Sequence, residues 1–598
     1  MKGVARTVVV FGVPALAVLG ISGLVTLRRA TAEARPQPSR FSGSSVVQRL
    51  PSLLPSARLD EAVPVVIVRD DAAVAFYDAP AALDRLIGVW RNALEAIGAD
   101  VRVLPQDVAV RDRSARVIVV PSSPCLTIDT RETIESASSR GAGVIMTGAA
   151  GIHDGGCRPI GYGLIVGETG ASRAEMMSAR EMSYVVFPAG SPLTADIPPG
   201  ARIDLDPGRQ IALRHRTRDA FYSDYALQPN PARDQPLLDA AVTHTTRNGR
   251  RVVYWGFELN EVAKRPWDRA VVQLLLKNSV EWAGGEPVAA IEPWPLGKVA
   301  AASIAQDVES GFANARGAVD SLRAAGARST FYVTTQLAQR YERLTRRFAA
   351  SGEVGTHGET HRLLGGLPSD EQRTRINTTQ NEIRALVGSD ANGLRPPEEQ
   401  FDTATMSAWL AAKGTYMFGA NDSRVASPEL LRVGTDTLVL VGRVGSDDFA
   451  AAARRPNVPD TLANIFLGEY DRVRALGGHY VLSYHSQLLA KPELVPALAI
   501  VARKLVADTA VWLATVGEVA DWWRSRAALE TSARMDGDRL RITVRNTSVR
   551  RIRDAVVRVS LPESRRVLRA PAKLLPADAK TIRLVLPPLE PKALRTFV

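Results

Sequence analysis

The feature that most restricts this chain is a change in the period of its apolar pattern. Between about residues 63 and 526, short unbroken apolar runs alternate with stretches of helical spacing, and beyond that the apolar positions recur at every second residue. Val65-Val66-Ile67-Val68 is one such run, Leu83, Ile87, Trp90 and Leu94 have helical spacing, and Val101-Arg102-Val103-Leu104 returns to strand. Val117 to Val120, a helical stretch from Arg131 to Arg140, and Gly143-Val144-Ile145-Met146 complete a β-α-β-β-α-β order. Strands alternating with helices imply a mainly parallel sheet with right-handed crossovers. Residues 63–286 are therefore expected to form a flavodoxin-like three-layer α/β domain.

At 598 residues the chain exceeds one ordinary core, and about three folded units are expected. The stretch from Pro287 to Pro295 reads as a proline-punctuated linker, followed by a second α/β unit over 297–526. Over 527–598 the alternating sets Leu540, Ile542 and Val544, then Val557, Val559 and Leu561, then Ile582, Leu584 and Leu586 predict a small β-sandwich.

From Thr7 to Leu27 the chain carries no charge, and as a helix this stretch would span about 30 Å. It is longer than a signal-peptide core and reads as an uncleaved membrane anchor, with residues 28–62 as a tether rich in Ala, Arg, Pro and Ser. Lys2 and Arg6 before the span balance Arg28 and Arg29 after it, so charge does not orient it. Cys125 and Cys157 are the only cysteines; they permit one disulfide in an oxidising compartment or two buried thiols. The net charge of +12 favours anionic head groups or acidic glycans. Without a helix-turn-helix, zinc-finger or phosphate-cradling G-x-x-x-x-G-K pattern, nucleic acid is set aside as a partner.

The strongest chemical signal is EVGTHGETH, in which His357 and His361 stand four residues apart in a chain with seven histidines. On a helical turn that spacing puts both imidazoles on one face, able to share a divalent metal. Upstream, an apolar strand ends in Gln306-Asp307-Val308-Glu309, so carboxylates emerge at a strand's carboxyl end, where βα barrels keep their active sites. Downstream come Leu394-Arg395-Pro396-Pro397 and the strand Tyr480-Val481-Leu482-Ser483-Tyr484-His485.

Taken in order, these motifs resemble those of the NodB-type polysaccharide deacetylases over roughly residues 297–520, and Ser329-Thr330-Phe331-Tyr332-Val333 matches that family's second strand. The resemblance implies a distorted (β/α) barrel and a divalent metal, commonly zinc, held by His357, His361 and one carboxylate, with no other cofactor. It also implies a carboxylate general base, His485 as the acid that protonates the leaving group, and Arg395 holding the base in place. The family's usual T-F-D-D is here Ile304-Ala305-Gln306-Asp307, which leaves two registers. In one, Gln306 takes the base position and Asp307 is the metal ligand. In the other, which fills both chemical roles and is preferred, Asp307 is the base and Glu309 the third ligand. Glu398-Glu399 stand where the family often has Tyr-Gly, and Asp422 is the candidate acid for tuning His485.

The expected function is hydrolysis of N- or O-acetyl groups on a cell-envelope or exported polysaccharide, outside the cytoplasm and anchored to a membrane. Envelope polysaccharide-export or biosynthesis proteins are candidate partners. The alternative is a membrane-tethered glycan-binding or scaffold protein whose deacetylase-like domain has lost catalysis, and Gln306 is the residue in its favour. The run Arg251-Val252-Val253-Tyr254-Trp255-Gly256-Phe257 resembles the late strand of glutamine-amidotransferase-like folds. Neither Cys125 in PSSPCLT nor Cys157 in DGGCRP has the strand-to-helix elbow and downstream His of an active glutaminase, so the first domain is read as non-catalytic.

Overall fold

A computed structural model describes residues 53–598, apart from 78–79, 110, 137–140, 178–183, 207, 224–237, 248, 263, 421–423 and 455–457. The apolar span 7–27 and most of the tether lie outside the described residues. Among the described residues no helix is long and apolar enough to cross a membrane.

The first domain is built on five parallel strands in the order Asp100–Pro105, Pro64–Arg69, Val117–Val120, Gly143–Thr147, Arg250–Trp255. Successive side chains of a strand point to opposite faces. Val65, Ile67, Val117 and Val119 accordingly pack with Leu83, Trp90 and Val271 of the helices Pro80–Ala96 and Pro266–Ala283. Val66, Val68, Ile118 and Val120 pack on the other face with Ile134 of Ile128–Ser136 and Leu164 of Gly163–Thr169. Burial on both faces is why these strands read as unbroken apolar runs.

The expectation of a mainly parallel sheet is corrected: among the described residues the sheet has 11 strands and is mixed. Beyond Arg250–Trp255 it continues antiparallel through Leu238–Arg247 and Ala220–Ser223 to Tyr184–Phe187 and Ala201–Asp204. Ile211–His215 and Arg173–Met176 branch from Leu238–Arg247, also antiparallel. Several of these strands are four or five residues long, and LDAAVTHTTR mixes polar with apolar positions, so no sustained run announces them.

Cys125 and Cys157 form a disulfide that ties the loop after Val117–Val120 to the loop after Gly143–Thr147. Replacing both with Ser should lower stability by about 2–4 kcal/mol, the usual range for a native cross-link, because the unfolded chain gains freedom. Acetate release should not change, since both cysteines belong to the first domain. Urea denaturation and an acetate assay check the two statements, and loss of acetate release in a folded variant contradicts the second.

Just beyond Arg250–Trp255, the Glu258 carboxylate accepts from Trp90 Nε1 at 2.9 Å and has Thr147 Oγ1 as its second partner. Burial pushes this carboxyl up to about 8 from an ordinary 4.5. Between those values the folded state binds more protons than the unfolded one, so stability falls as pH rises from about 4.5 to about 8 and then levels. Glu258→Gln keeps the hydrogen-bonding shape without a titrating proton. Its stability relative to the parent should therefore improve steadily from pH 5 to pH 8. A gap that does not move with pH would contradict this.

A second, nine-stranded sheet begins with the parallel series Ala300–Val308, Ser329–Val333, Gly352–Thr356, Gly393–Leu394, Tyr416–Ala420 and Asp436–Arg443. His479–His485 pairs on the free side of Ala300–Val308, Val511–Leu513 also joins that strand, and Glu429–Val433 is antiparallel at the far edge. A bridge between Asp447 and Ser483 brings the far side of the sheet back to His479–His485. Ala301, Ala305, Tyr332, Tyr416, Phe418 and Val481 fill its inner side. Ala302, Ile304 and Leu482 face helices on the other, against Ala318, Phe466 and Val501.

The remaining strands form two small antiparallel sheets. Leu529–Asp536, Arg539–Asn546 and Leu594–Phe597 make one, and Val288–Ile291, Val556–Ser560 and Thr581–Val585 the other. Val544, Val557 and Leu584 share one core with Trp294 and Trp522. The reading of 287–295 as a plain linker is thereby corrected, because Val288–Ile291 is a strand. Its flanking prolines masked four residues with little periodicity of their own.

Candidate active site

Alternation along Ala300–Val308 decides which acids meet. Ala301 and Ala305 face the inner side and Ile304 the helices, so Asp307 points inward and Gln306 outward. The fully buried Gln306 accepts from the Tyr484 hydroxyl at 3.2 Å. Register sets Asp307 directly beside His485 on one neighbouring strand and Tyr332 on the other. Asp307 lies 3.0 Å from Arg395 Nη1, 3.4 Å from His485 Nε2 and 3.9 Å from His357 Nε2. Burial raises its carboxyl pKa, against the opposing charges of Arg395 and His485.

Glu309, two residues on, has Oε2 3.1 Å from His361 Nε2 and 3.8 Å from His357 Nε2, while its Oε1 accepts from Gln487. One ligand atom from each of Glu309, His357 and His361 lies within 4.8 Å of the others. The histidines do not occupy a helical turn as the spacing suggested. They sit in an irregular segment after Gly352–Thr356, where Gly358 at φ +82° bends the chain and the ring centroids come to 5.1 Å.

His357 is the test of whether this group suits a metal. It is 2% exposed, its Nδ1 lies 2.7 Å from the Arg395 carbonyl, and its Nε2 has no hydrogen-bond partner. The carbonyl fixes Nδ1 as the donor, which leaves a buried Nε2 lone pair facing two carboxylates. Burial, then the charge of Arg395, pushes its pKa down and keeps the ring neutral. A cation at that position would satisfy the lone pair, so the residues fit a divalent metal.

His485 is held from the other side. Its Nδ1 lies 2.6 Å from Asp448 Oδ1, and Asp448 Oδ2 accepts from the backbone N–H groups of His485 and Leu489 at 2.9 and 3.0 Å. Burial disfavours the imidazolium, but the Asp448 hydrogen bond and the charges of Asp307 and Asp448 outweigh it and raise the pKa. Asp422 lies outside the described residues; among those described, the acid on His485 Nδ1 is Asp448, at the start of the helix Asp448–Arg454. GSDDFA lies between strand and helix signals, and nothing local distinguishes this Asp from its neighbour.

Arg395 is buried, lies over the Phe418 ring at 4.7 Å and donates to Ser483 Oγ at 2.8 Å. Its Nη2 pairs with Glu399 at 3.0 Å, and Glu399 pairs in turn with Arg443 at 3.0 Å. Burial opposes ionisation of Glu399, yet Arg443 and Arg395 hold it down to about 2. Glu398 and Glu399 both adopt positive φ, 53° and 56°. Glu399 thus balances a buried guanidinium, a role that the sequence marked only as a departure after the prolines.

Residues 301–416 match the family model described as polysaccharide deacetylase, and this part of the chain is a polysaccharide deacetylase domain. The match includes Asp307, Glu309, His357, His361 and Arg395, stops before Asp448 and His485, and leaves the N-terminal region unassigned. Among solved structures the chain is similar to a Mycobacterium smegmatis protein classed as a polysaccharide deacetylase. Identity there is 21% over 39% of this chain and 93% of that one, with a TM-score of 0.35. PuuE allantoinase gives 15% over 39% and 93%, with a TM-score of 0.36. A CE4 family pseudoenzyme from Bacillus anthracis gives 17% over 37% and 65%, with a TM-score of 0.28. No curated protein sequence matches.

Proposed function

We propose that the chain is a metal-dependent hydrolase that removes N- or O-acetyl groups from a cell-envelope or exported polysaccharide, acting outside the cytoplasm and held to a membrane by residues 7–27. The observation that carries this reading is the buried, unpartnered Nε2 of His357 facing Glu309 beside an Asp307 that lies between Arg395 and His485. We read the second sheet as a distorted (β/α) barrel, which the parallel strand series and the Asp447–Ser483 bridge support. The disulfide supports an oxidising compartment.

A divalent metal held by Glu309, His357 and His361, for which zinc suits the donor set, would supply Lewis acidity that lowers the pKa of water and polarises the acetyl carbonyl. Asp307, kept in position by Arg395, takes the proton of the attacking water. Its burial strengthens it as a base. His485 has Nδ1–H committed to Asp448, so Nε2 is the nitrogen that delivers a proton to the departing amine or alkoxide. Ser483 and Glu399 keep Arg395 from swinging away from Asp307.

The test is metal analysis of the purified full-length chain together with acetate release from N-acetylglucosamine oligomers and from O-acetylated xylan. Stoichiometric metal with acetate release is expected. Metal without release from either probe would favour a glycan-binding role, and absence of metal affinity would overturn the reading.

A further inference from the structure

A cavity of about 1000 Å³ opens in the first domain between the helices Pro80–Ala96 and Pro266–Ala283, and it reaches Tyr77, Ser122 and Glu258 in the loops that follow three of the parallel strands. The strand Asp100–Pro105 lies on one side of Pro64–Arg69 and Val117–Val120 on the other, so the chain reverses direction across the sheet at this point. Loops part at such a reversal, and ligands of open α/β sheets bind there. The volume is at the upper end for small-molecule sites and has room for more than one sugar ring.

The rim is basic. Arg85, Arg209, Lys264 and Arg269 all line the cavity, and all four are exposed. Among the described residues no ion pair joins any of the four to an acid, so the rim presents four side-chain cations to one opening. The acids of the lining offset them only in part, since two ionised carboxylates, Glu261 and Asp206, stand against four cations. Burial keeps Glu258 at the wall protonated near neutral pH, and Glu261 is turned toward the backbone N–H groups of Glu258 and Arg209 at 3.0 and 3.1 Å. Asp206 is the remaining acid of the lining.

Two aromatic rings complete the lining. Phe76 and Tyr77 stand edge to face with centroids 5.2 Å apart. The Tyr77 hydroxyl donates to the Ser122 carbonyl at 2.6 Å, which fixes its ring, and the Arg209 guanidinium lies 4.3 Å over Phe76. Apolar ring faces beside side-chain amides, here Asn92 and Asn260, suit the alternating C–H and hydroxyl surface of a pyranose.

We propose that this cavity binds a segment of acidic polysaccharide, with uronate carboxylates on the four rim cations and sugar rings against Phe76 and Tyr77. A neutral glycan would leave the cations without a role, and a bare anion would leave the fixed aromatic wall without one. The site is independent of the deacetylase domain and stands whether or not that domain turns over.

The experiment is a binding titration of the full-length chain with oligogalacturonate, malto-oligosaccharide and inorganic sulfate. Oligogalacturonate should bind with an affinity that falls as salt is raised, and the neutral oligomer should not bind detectably. The double variant Arg85→Ala/Arg269→Ala should weaken oligogalacturonate binding by about tenfold or more, with metal content and acetate release unchanged. If that variant does not fold, Lys264→Ala should weaken binding in the same direction. Equal binding of malto-oligosaccharide, sulfate bound as tightly as oligogalacturonate, or a folded variant with unaltered affinity would each overturn the proposal.

Discussion

Asp307→Asn is expected to lower acetate release by about 10²- to 10⁴-fold while leaving the metal content of the chain unchanged. The amide has the carboxylate's shape but cannot accept the proton of an attacking water. Arg395 keeps its bonds to Ser483 and Glu399 after the change, so the surrounding structure should persist and the loss should report chemistry. The distances favour this outcome: Asp307 is 3.9 Å from the nearer histidine of the ligand group, whereas Glu309 is 3.1 Å from its own. Acetate release and metal analysis on the same preparation check it. Metal lost from Asp307→Asn would make Asp307 a ligand and leave the chain without an ordinary base, because Gln306 points to the opposite face.

Glu309→Gln should do the converse, weakening metal retention by at least about 100-fold, with activity recovering when metal is supplied in excess. A neutral amide oxygen is a poorer ligand for a divalent cation than a carboxylate. The Gln487 contact to Glu309 orients the side chain but brings no charge to replace the one removed. Competition with a chelator measures the effect directly. Undiminished metal affinity in Glu309→Gln would remove Glu309 from the ligand set and, with it, the preferred register.

The parts of this molecule legible in the sequence were those whose signal is local. Val65 to Val68 and the apolar run from Ala300 to Ala305 read as strands because both faces of each are covered, and a run buried on both sides has few polar interruptions. Asp307 and Glu309 could be placed on one face from period two alone. The His357–His361 pair was legible as a pair, although its local conformation was not: an irregular segment brings the rings together where a helical turn was expected. What escaped was set by distant packing. Asp448 meets His485 only because two remote segments converge, and the antiparallel half of the first sheet is assembled from strands too short and too polar to carry a period. Glu399 stood out only as an oddity, since its value depends on Arg395 and Arg443 lying on either side of it.

The pairing of Val288–Ile291 with Val556–Ser560 has a consequence for how the protein comes into being. The whole deacetylase domain is spliced between one strand and the partner that strand needs, so its entry and exit are buckled together. During synthesis Val288–Ile291 must wait, with its edge bare, until the ribosome has made the chain as far as Ser560. Closing so long a loop delays this step relative to the local βα units, and it should be among the last parts of the molecule to lock. A fragment cut at the prolines around residue 295 would sever a sheet, whereas one that begins before Val288 and runs through the C-terminal strands keeps the buckle intact.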